Sequence, residues 1–318
     1  MKLLHLSDIH IGSARQETLD ALAKAVLGAG PFDAAYITGD LFNTSRMSDP
    51  RVLDLATELL GSIAAATTGG RTVIVPGNHD VRRDGLLGPH STDLLAAFAA
   101  RCPNNIIHGL AAPGAASQLG GMPLDTVLVD SSYLPKGKIS AGGIIDVDGL
   151  TKAVQSTTRT SPLLVAMHHH LVPTPVTDND DLSAPSWVRK ILGAIIANAD
   201  HEEIFMTALG AGDALSALHG AGRPVIVLHG HKHYPTARLL SGLGADQNDV
   251  LLVSAGSAGL WERVAEENCW PSFNVVEFVG AALTVTTTYF EFDGKLPSKT
   301  VTMARLEQSG PRWTRPST

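Results

Sequence analysis

The chain has 318 residues, 44% hydrophobic and 17% charged, which is the balance of a globular protein and excludes a disordered or fibrous one. Its formal net charge of −7 gives no electrostatic case for a duplex-binding face. No stretch approaches the roughly 18 apolar residues of a membrane span, and no linker or repeat period divides the chain, so one large core is expected.

The first apolar run, Lys2 to Leu6, is too short for a secretory signal. Cys102 and Cys269 lie far apart without zinc-like spacing and read as reduced thiols, with a single disulfide as the alternative, so cytoplasm is the expected compartment. The run itself reads as a strand, and Ser7-Asp8-Ile9-His10 follows directly. Asp8 and His10 are two apart, so on extended backbone both side chains leave one face. An Asp near a helix start with a surface His gives the same pattern.

Leu19, Leu22, Ala23 and Val26 recur at helical spacing, closed by Gly28 and Gly30-Pro31. Ala34 to Thr38 is a buried strand ending in Gly39-Asp40-Leu41-Phe42-Asn43, where Asp40 either caps the next segment or brings a carboxylate to a strand end. Val52, Leu55, Leu59 and Ile63 mark a second amphipathic helix. The strand Thr72 to Val75 then stops at Pro76-Gly77 and leads into Asn78-His79-Asp80. Strand-helix-strand-helix-strand, with polar residues at each strand's carboxyl end, predicts parallel βαβ units and a crevice along that edge. Arg82 and Arg83 follow, either to neutralise an anionic substrate or simply solvated.

Leu94, Leu95 and Phe98 suggest a helix, residues 109–123 read as loop, and 124–129 as a strand closed by the turn Asp130-Ser131-Ser132. Leu163 to Met167 is an apolar run of buried-strand type ending in His168-His169-His170, of which at most one or two can share a site. An acidic loop over 174–184 and helical patterns over 187–197 and 202–218 follow. Pro224 to Leu228 is another buried strand, leading into His229-Gly230-His231-Lys232-His233, where His231 and His233 repeat the spacing of Asp8 and His10. Strands over 250–254, 273–279 and 283–290 finish the core, the last two as a hairpin.

Eight of the thirteen histidines fall in clusters just after predicted strands. Carboxylates, a carboxamide and imidazoles without a thiolate suit Mn, Fe, Zn or Co better than a cysteine-type zinc site, and they are about enough for two ions.

Taken in order, Asp8-Ile9-His10, Gly39-Asp40-Leu41-Phe42-Asn43, Gly77-Asn78-His79-Asp80, His168 with its neighbours, and Gly230-His231-Lys232-His233 resemble the five-motif signature of calcineurin-like metallophosphoesterases. The layout is similar to that of the bacterial class III cyclic nucleotide phosphodiesterases. The resemblance implies an α/β fold, a four-layer αββα sandwich of two mixed sheets flanked by helices, with the metal site at the strand carboxyl ends. It implies a catalytic domain over 1–294, then a last strand at 300–304 and a loose tail over 295–318.

The resemblance also implies two divalent transition metal ions. Asp8, His10 and His233 would hold the first and Asn78, His168 and His231 the second, with Asp40 bridging and His169 the alternative to His168. The implied reaction is hydrolysis of a small phosphodiester such as a cyclic nucleotide by a hydroxide held between the ions. His79 would be the general acid, oriented by Asp80. Asn43, Arg82 and His169 are candidate substrate contacts. Two other readings compete. Met1 to Gly12 also resembles exonuclease subunits of DNA-break repair, which would make nucleic acid the substrate. The family also contains a retromer subunit that is a non-catalytic scaffold with a degraded metal site, whereas here every ligand position is filled. The expected partner is a small phosphoester and the expected assembly a homodimer.

Overall fold

A computed structural model describes residues 1–45, 49–83, 90–91, 93–102, 106–133, 143–157, 161–173, 207–244, 247–260, 262–264, 267–291 and 298–316. The chain runs β1 (Lys2–Leu6), α1 (Gln16–Ala29), β2 (Ala34–Thr38), α2 (Arg51–Ala65), β3 (Thr72–Val75), β4 (Arg82–Arg83), β5 (His90–Ser91) and α3 (Asp93–Arg101). It continues through β6 (Gly109–Leu110), β7 (Ala116–Leu119), β8 (Asp125–Val129), α4 (Val147–Ser156), β9 (Leu163–Ala166), α5 (Ala211–His219), β10 (Val225–His229), β11 (Thr236–Leu240) and β12 (Val250–Ser254). It ends with β13 (Glu262–Val264), β14 (Glu267–Cys269), β15 (Ser272–Val279), β16 (Ala282–Tyr289), β17 (Lys299–Ser309) and β18 (Arg312–Thr314).

Two mixed sheets form, one ordered β18-β17-β16-β15-β1-β2-β3-β6 and the other β11-β12-β10-β9-β8-β7. The strands that matter for the site are parallel within each: β1 with β2 and β3 in the first, β9 with β10 in the second. All five strands therefore point their carboxyl ends at one rim.

Side-chain alternation decides the layers. In β1, Leu4 and Leu6 pack with α1, α2 and α3, whose inward faces include Leu22, Val26, Leu60, Ile63 and Phe98. Leu3, on the other face, joins Tyr36, Val73 and Val75 and meets Leu164, Ala166, Ile226 and Leu228 of the second sheet. The outer face of that sheet, with Val165, Val225 and Val227, is covered by α4 and α5 through Leu150, Ala214 and Leu218. Helices, sheet, sheet and helices make the four-layer sandwich. Tyr36 Oη lies 3.0 Å from Thr126 Oγ1 and ties the two sheets across the inner layer. Truncating a residue such as Leu228 to Ala in this close-packed interior costs about 2–5 kcal/mol.

Several elements depart from the sequence expectation. Residues 109–123 carry the short strands β6 and β7, which close one edge of each sheet. The helix α4 and the edge strand β11 were not expected. Where a short strand and a loose tail were expected, β17 (Lys299–Ser309) and β18 (Arg312–Thr314) pair as strands anchored by buried Trp313. Of the two helices expected over 187–218, the structure places one at Ala211–His219, and the pattern at 187–197 lies outside the described residues. Among the described residues no helix is long and apolar enough to cross a membrane.

Candidate metal centre

The segments after β1 and β2 leave their strands side by side. Backbone N–H groups of Asp8, His10 and Ile11 donate to the carbonyls of Gly39, Asp40 and Leu41 at 3.0, 2.9 and 2.9 Å. From the second sheet, the Gly230 N–H donates to the His168 carbonyl at 3.0 Å and locks the segments after β9 and β10. The His231 N–H then reaches Asp8 Oδ2 at 3.0 Å, joining the two sheets through a carboxylate. Glycines permit this crowding. A Cβ on Gly77 would overlap the Asp40 carboxylate, and one on Gly230 would overlap Ser7 Oγ and Asp8 Oδ2.

The backbone itself is strained at this rim. Among the described residues five non-glycines have positive φ: Asp8 (54°), His10 (52°), Asp40 (50°), His231 (76°) and His233 (53°). Left-handed backbone is uncommon for residues with a Cβ and persists where the surroundings enforce it, often at functional sites. The expectation that Asp8/His10 and His231/His233 are aimed by extended i, i+2 alternation is therefore corrected. Tight left-handed turns aim them instead.

The side chains converge in overlapping groups, Asp8–His10–His233, Asp8–Asp40–His168, His10–Asp40–His79 and His168–His169–His231. His10 Nε2 lies 3.1 Å from His233 Nε2, and His233 Nε2 lies 3.2 Å from Asp8 Oδ1. Asn78 Oδ1 is 3.0 Å from both His168 Nε2 and His231 Nδ1. Asp40 spans the two halves, with Oδ2 3.5 Å from His168 Nε2 and 3.9 Å from His10 Nε2, while its Oδ1 accepts from the His79 N–H at 2.8 Å.

Electrostatics matches a cation. Burial opposes charge on Asp40, but the imidazoles of His168 and His10 more than offset it and hold its carboxyl below the usual range. Burial also opposes charge on His168, yet Asp40 and Asp8 outweigh it and push the imidazole up to about 9, so the site favours positive charge there. Burial and then His233 lower His10 to about 4, and burial with His169 lowers His231 well below its ordinary value. Both therefore offer lone pairs at neutral pH.

The sequence profile of the calcineurin-like phosphoesterase family matches residues 1–235. The chain belongs to that family. No curated protein matches the chain in sequence. Among solved structures, a single mutant of Vps29 from Entamoeba histolytica aligns at 14% identity over 96% of this chain and 100% of its own, with a TM-score of 0.36. A predicted phosphoesterase from Streptococcus pneumoniae aligns at 13% over 95% and 97%, with a TM-score of 0.33. The phosphopantetheinyl hydrolase of Mycobacterium tuberculosis aligns at 15% over 80% and 89%, with a TM-score of 0.44. The family makes this chain a metal-dependent phosphoester hydrolase, and its members typically hold a dinuclear divalent metal centre.

The residues of this phosphoesterase fit such ions. Two imidazole nitrogens 3.1 Å apart approach the ~3.3 Å edge of a tetrahedron with bonds of 2.0–2.1 Å. The set contains carboxylate, carboxamide and imidazole donors with no thiolate, which suits a borderline divalent cation.

Asp8, His10, Asp40, Asn78, His168, His169, His231 and His233 all meet here, and exposed His79 stands at the rim with its ring 5.0 Å from that of His10. Asp80 does not orient His79, which corrects the expectation. It is fully buried, and its carboxylate accepts from the backbone N–H groups of Leu41, Phe42 and Gly77 at 3.2, 2.8 and 2.9 Å. One residue after an exposed ring, the chain has turned inward, and Asp80 staples the loop of Asp40 to the loop of Asn78. Burial, then Asp40, push its carboxyl up to about 7. His79 Nδ1 instead lies 3.2 Å from the Asn43 carbonyl, so Asn43 enters the site through its backbone. The side chain of Arg82 lies outside the described residues.

Sequence reading missed the second rank of the site. Thr38 offers its carbonyl to His168 Nδ1 at 2.8 Å, Ser257 Oγ donates to the Asp8 carbonyl at 2.7 Å, and Ser131 Oγ meets His169 Nδ1 at 2.9 Å. Common serines and threonines far away in sequence carry no local signal for such roles.

Proposed function

We propose that this phosphoesterase is a phosphodiesterase acting on a small diester, with a cyclic nucleotide as the substrate class to test first. Asp8, His10 and His233 would hold one ion, Asn78, His168 and His231 the other, and Asp40 would contact both. The observation that carries the reading is the position of Asp40 between the two imidazole groups, 3.5 Å from His168 and 3.9 Å from His10. Bound there, two divalent ions supply Lewis acidity toward the phosphoryl group and a nucleophile at neutral pH.

The chain's own residues supply the rest. His79 is exposed beside the buried donors, where its ring can protonate a departing alkoxide, and the Asn43 carbonyl at 3.2 Å fixes its orientation. If Nδ1 donates to that carbonyl, Nε2 faces solvent and substrate. Asp80, by tying Gly77 to Leu41 and Phe42, keeps Asp40 and Asn78 in register.

A panel of cyclic nucleotides, nucleotide monoesters, phospholipid head groups, single-stranded DNA and aryl diesters, assayed with Mn, Fe, Zn and Co in turn, tests the reading. Turnover of small diesters above monoesters and DNA is the expected result. Bound metal with no turnover on any ester would instead favour the scaffold reading.

A further inference from the structure

His168 and His169 are adjacent in sequence with opposite hydrogen-bond arrangements, and the difference decides which nitrogen of each ring carries the proton. His168 Nδ1 is 2.8 Å from the Thr38 carbonyl oxygen. A carbonyl only accepts, so Nδ1 holds a hydrogen there, and Nε2, 3.0 Å from Asn78 Oδ1, is the nitrogen left to give its electron pair to an ion.

His169 Nδ1 is 2.9 Å from Ser131 Oγ, and that same oxygen accepts from the His169 backbone N–H at 3.2 Å. Ser131 is fully buried, so its hydroxyl hydrogen has no solvent to meet, and among the described residues the acceptor it meets is Nδ1 of His169. Nδ1 therefore accepts, and the ring hydrogen sits on Nε2. Gly143 packs against the pair so closely that a Cβ there would overlap both the Ser131 carbonyl oxygen and His169 Nδ1. The His169 ring lies 4.6 Å from that of His231 and 4.9 Å from that of His168, inside the centre.

We propose that His169, fixed in its Nε2–H form by Ser131, is a hydrogen-bond donor to the substrate's phosphoryl group and not a ligand of the second ion. A protonated nitrogen cannot ligate, but with ions bound it would add a neutral donor beside them for a phosphoryl oxygen. What the donor meets rests on the phosphodiesterase reading above, while the position of the proton rests on Ser131 alone.

Histidine side-chain ¹⁵N NMR of the full chain, zinc-loaded and metal-free, reads the proton directly. His169 is expected protonated at Nε2 in both, with the preference lost in Ser131→Ala. In parallel, zinc stoichiometry and inorganic phosphate affinity are measured for His169→Leu and His169→Gln, the second keeping an N–H donor and guarding against a folding defect. Both variants are expected to keep the wild-type zinc content. Phosphate binding should weaken about tenfold in the Leu variant and less in the Gln variant.

Loss of one zinc equivalent in both variants would make His169 a ligand and overturn the proposal, as would unchanged phosphate affinity in His169→Leu. A wild-type chain that takes up no zinc would overturn both this proposal and the phosphodiesterase reading. Zinc uptake with His169 protonated at Nδ1 would overturn this one alone.

Discussion

Two groups of buried polar side chains share Thr38 and behave in opposite ways. One lies between the sheets: His5 Nε2 meets Thr38 Oγ1 at 2.9 Å, and His5 Nδ1 faces Asn274 Nδ2 at 3.4 Å. Asn274 also donates to the Ser254 carbonyl at 2.8 Å and accepts from Thr287 Oγ1 at 2.7 Å. Donors face acceptors, and all of these residues lie on regular strands. The other group is the metal centre, where the imidazole nitrogens of His10 and His233 lie 3.1 Å apart, that of His168 lies 3.0 Å from the Asn78 oxygen, and the backbone is left-handed at five non-glycines. Each group contains a fully buried histidine, His5 in one and His168 in the other, so burial of histidine does not mark function. Convergence of like groups on strained backbone does, because only a cation or a proton reconciles them.

Breaking the strained side should destroy chemistry. Asp40→Ala removes the carboxylate that reaches both halves, so metal content should fall at both positions and hydrolysis by orders of magnitude. Elemental analysis beside turnover checks this, and near-wild-type turnover at limiting metal would show that another carboxylate is the bridge. His79→Ala should keep both ions and lose ~10²–10⁴-fold on a diester with an alkoxide leaving group, with a smaller loss on an activated aryl diester. An equal loss on both esters would assign His79 a positioning role.

Breaking the satisfied side should instead lower stability and spare the metal. His5→Leu removes one buried hydrogen bond each from Thr38 Oγ1 and Asn274 and should cost about 1–3 kcal/mol in denaturant unfolding, at unchanged metal stoichiometry. A lost equivalent of metal would mean that the two groups act as one through Thr38.

His5 also predicts a dependence on pH. Burial, then His229, lower it to about 3 from an ordinary 6.5. Its neutral form is the folded form, so the stabilisation is complete above about 6.5 and is lost as pH falls toward about 3. Over that window His5→Gln should lose less stability than wild type, measured as unfolding midpoints across pH. Parallel curves would refute the assignment.

Most of this was legible in the sequence wherever one physical signal dominated. Apolar runs such as Leu163–Ala166 and Val225–Leu228 are buried on both faces and leave little doubt about type. Leu19, Leu22 and Val26 mark the inner face of α1 just as clearly. The ligand motifs stood out because acidic and imidazole residues rarely follow such runs by accident. Illegible were elements whose identity depends on what they pack against. The strand β11, Thr236–Leu240, is half-buried at every position, so no alternation shows. In α4, Gly149 interrupts the helical pattern, and the start is set by Asp146 capping the Gly149 N–H at 3.0 Å. The role of Asp80 failed for a related reason: proximity in sequence to His79 suggested a contact that the turn directs elsewhere.

The left-handed backbone at Asp8, His10, Asp40, His231 and His233 reverses a common rule of protein engineering. Replacing glycine by alanine normally strengthens a fold, by roughly 0.4–1 kcal/mol, because alanine restricts the unfolded chain. At φ of 50–76° a Cβ is the burden, so His10→Gly should unfold at higher denaturant than His10→Ala in the metal-free chain. Alanine proving the more stable would show that the turn relaxes once the ring is gone. If glycine is the better residue for the backbone, a selection for thermal stability alone, run without metal, would drift toward erasing these side chains. The most durable version of this fold would then be one that no longer holds metal.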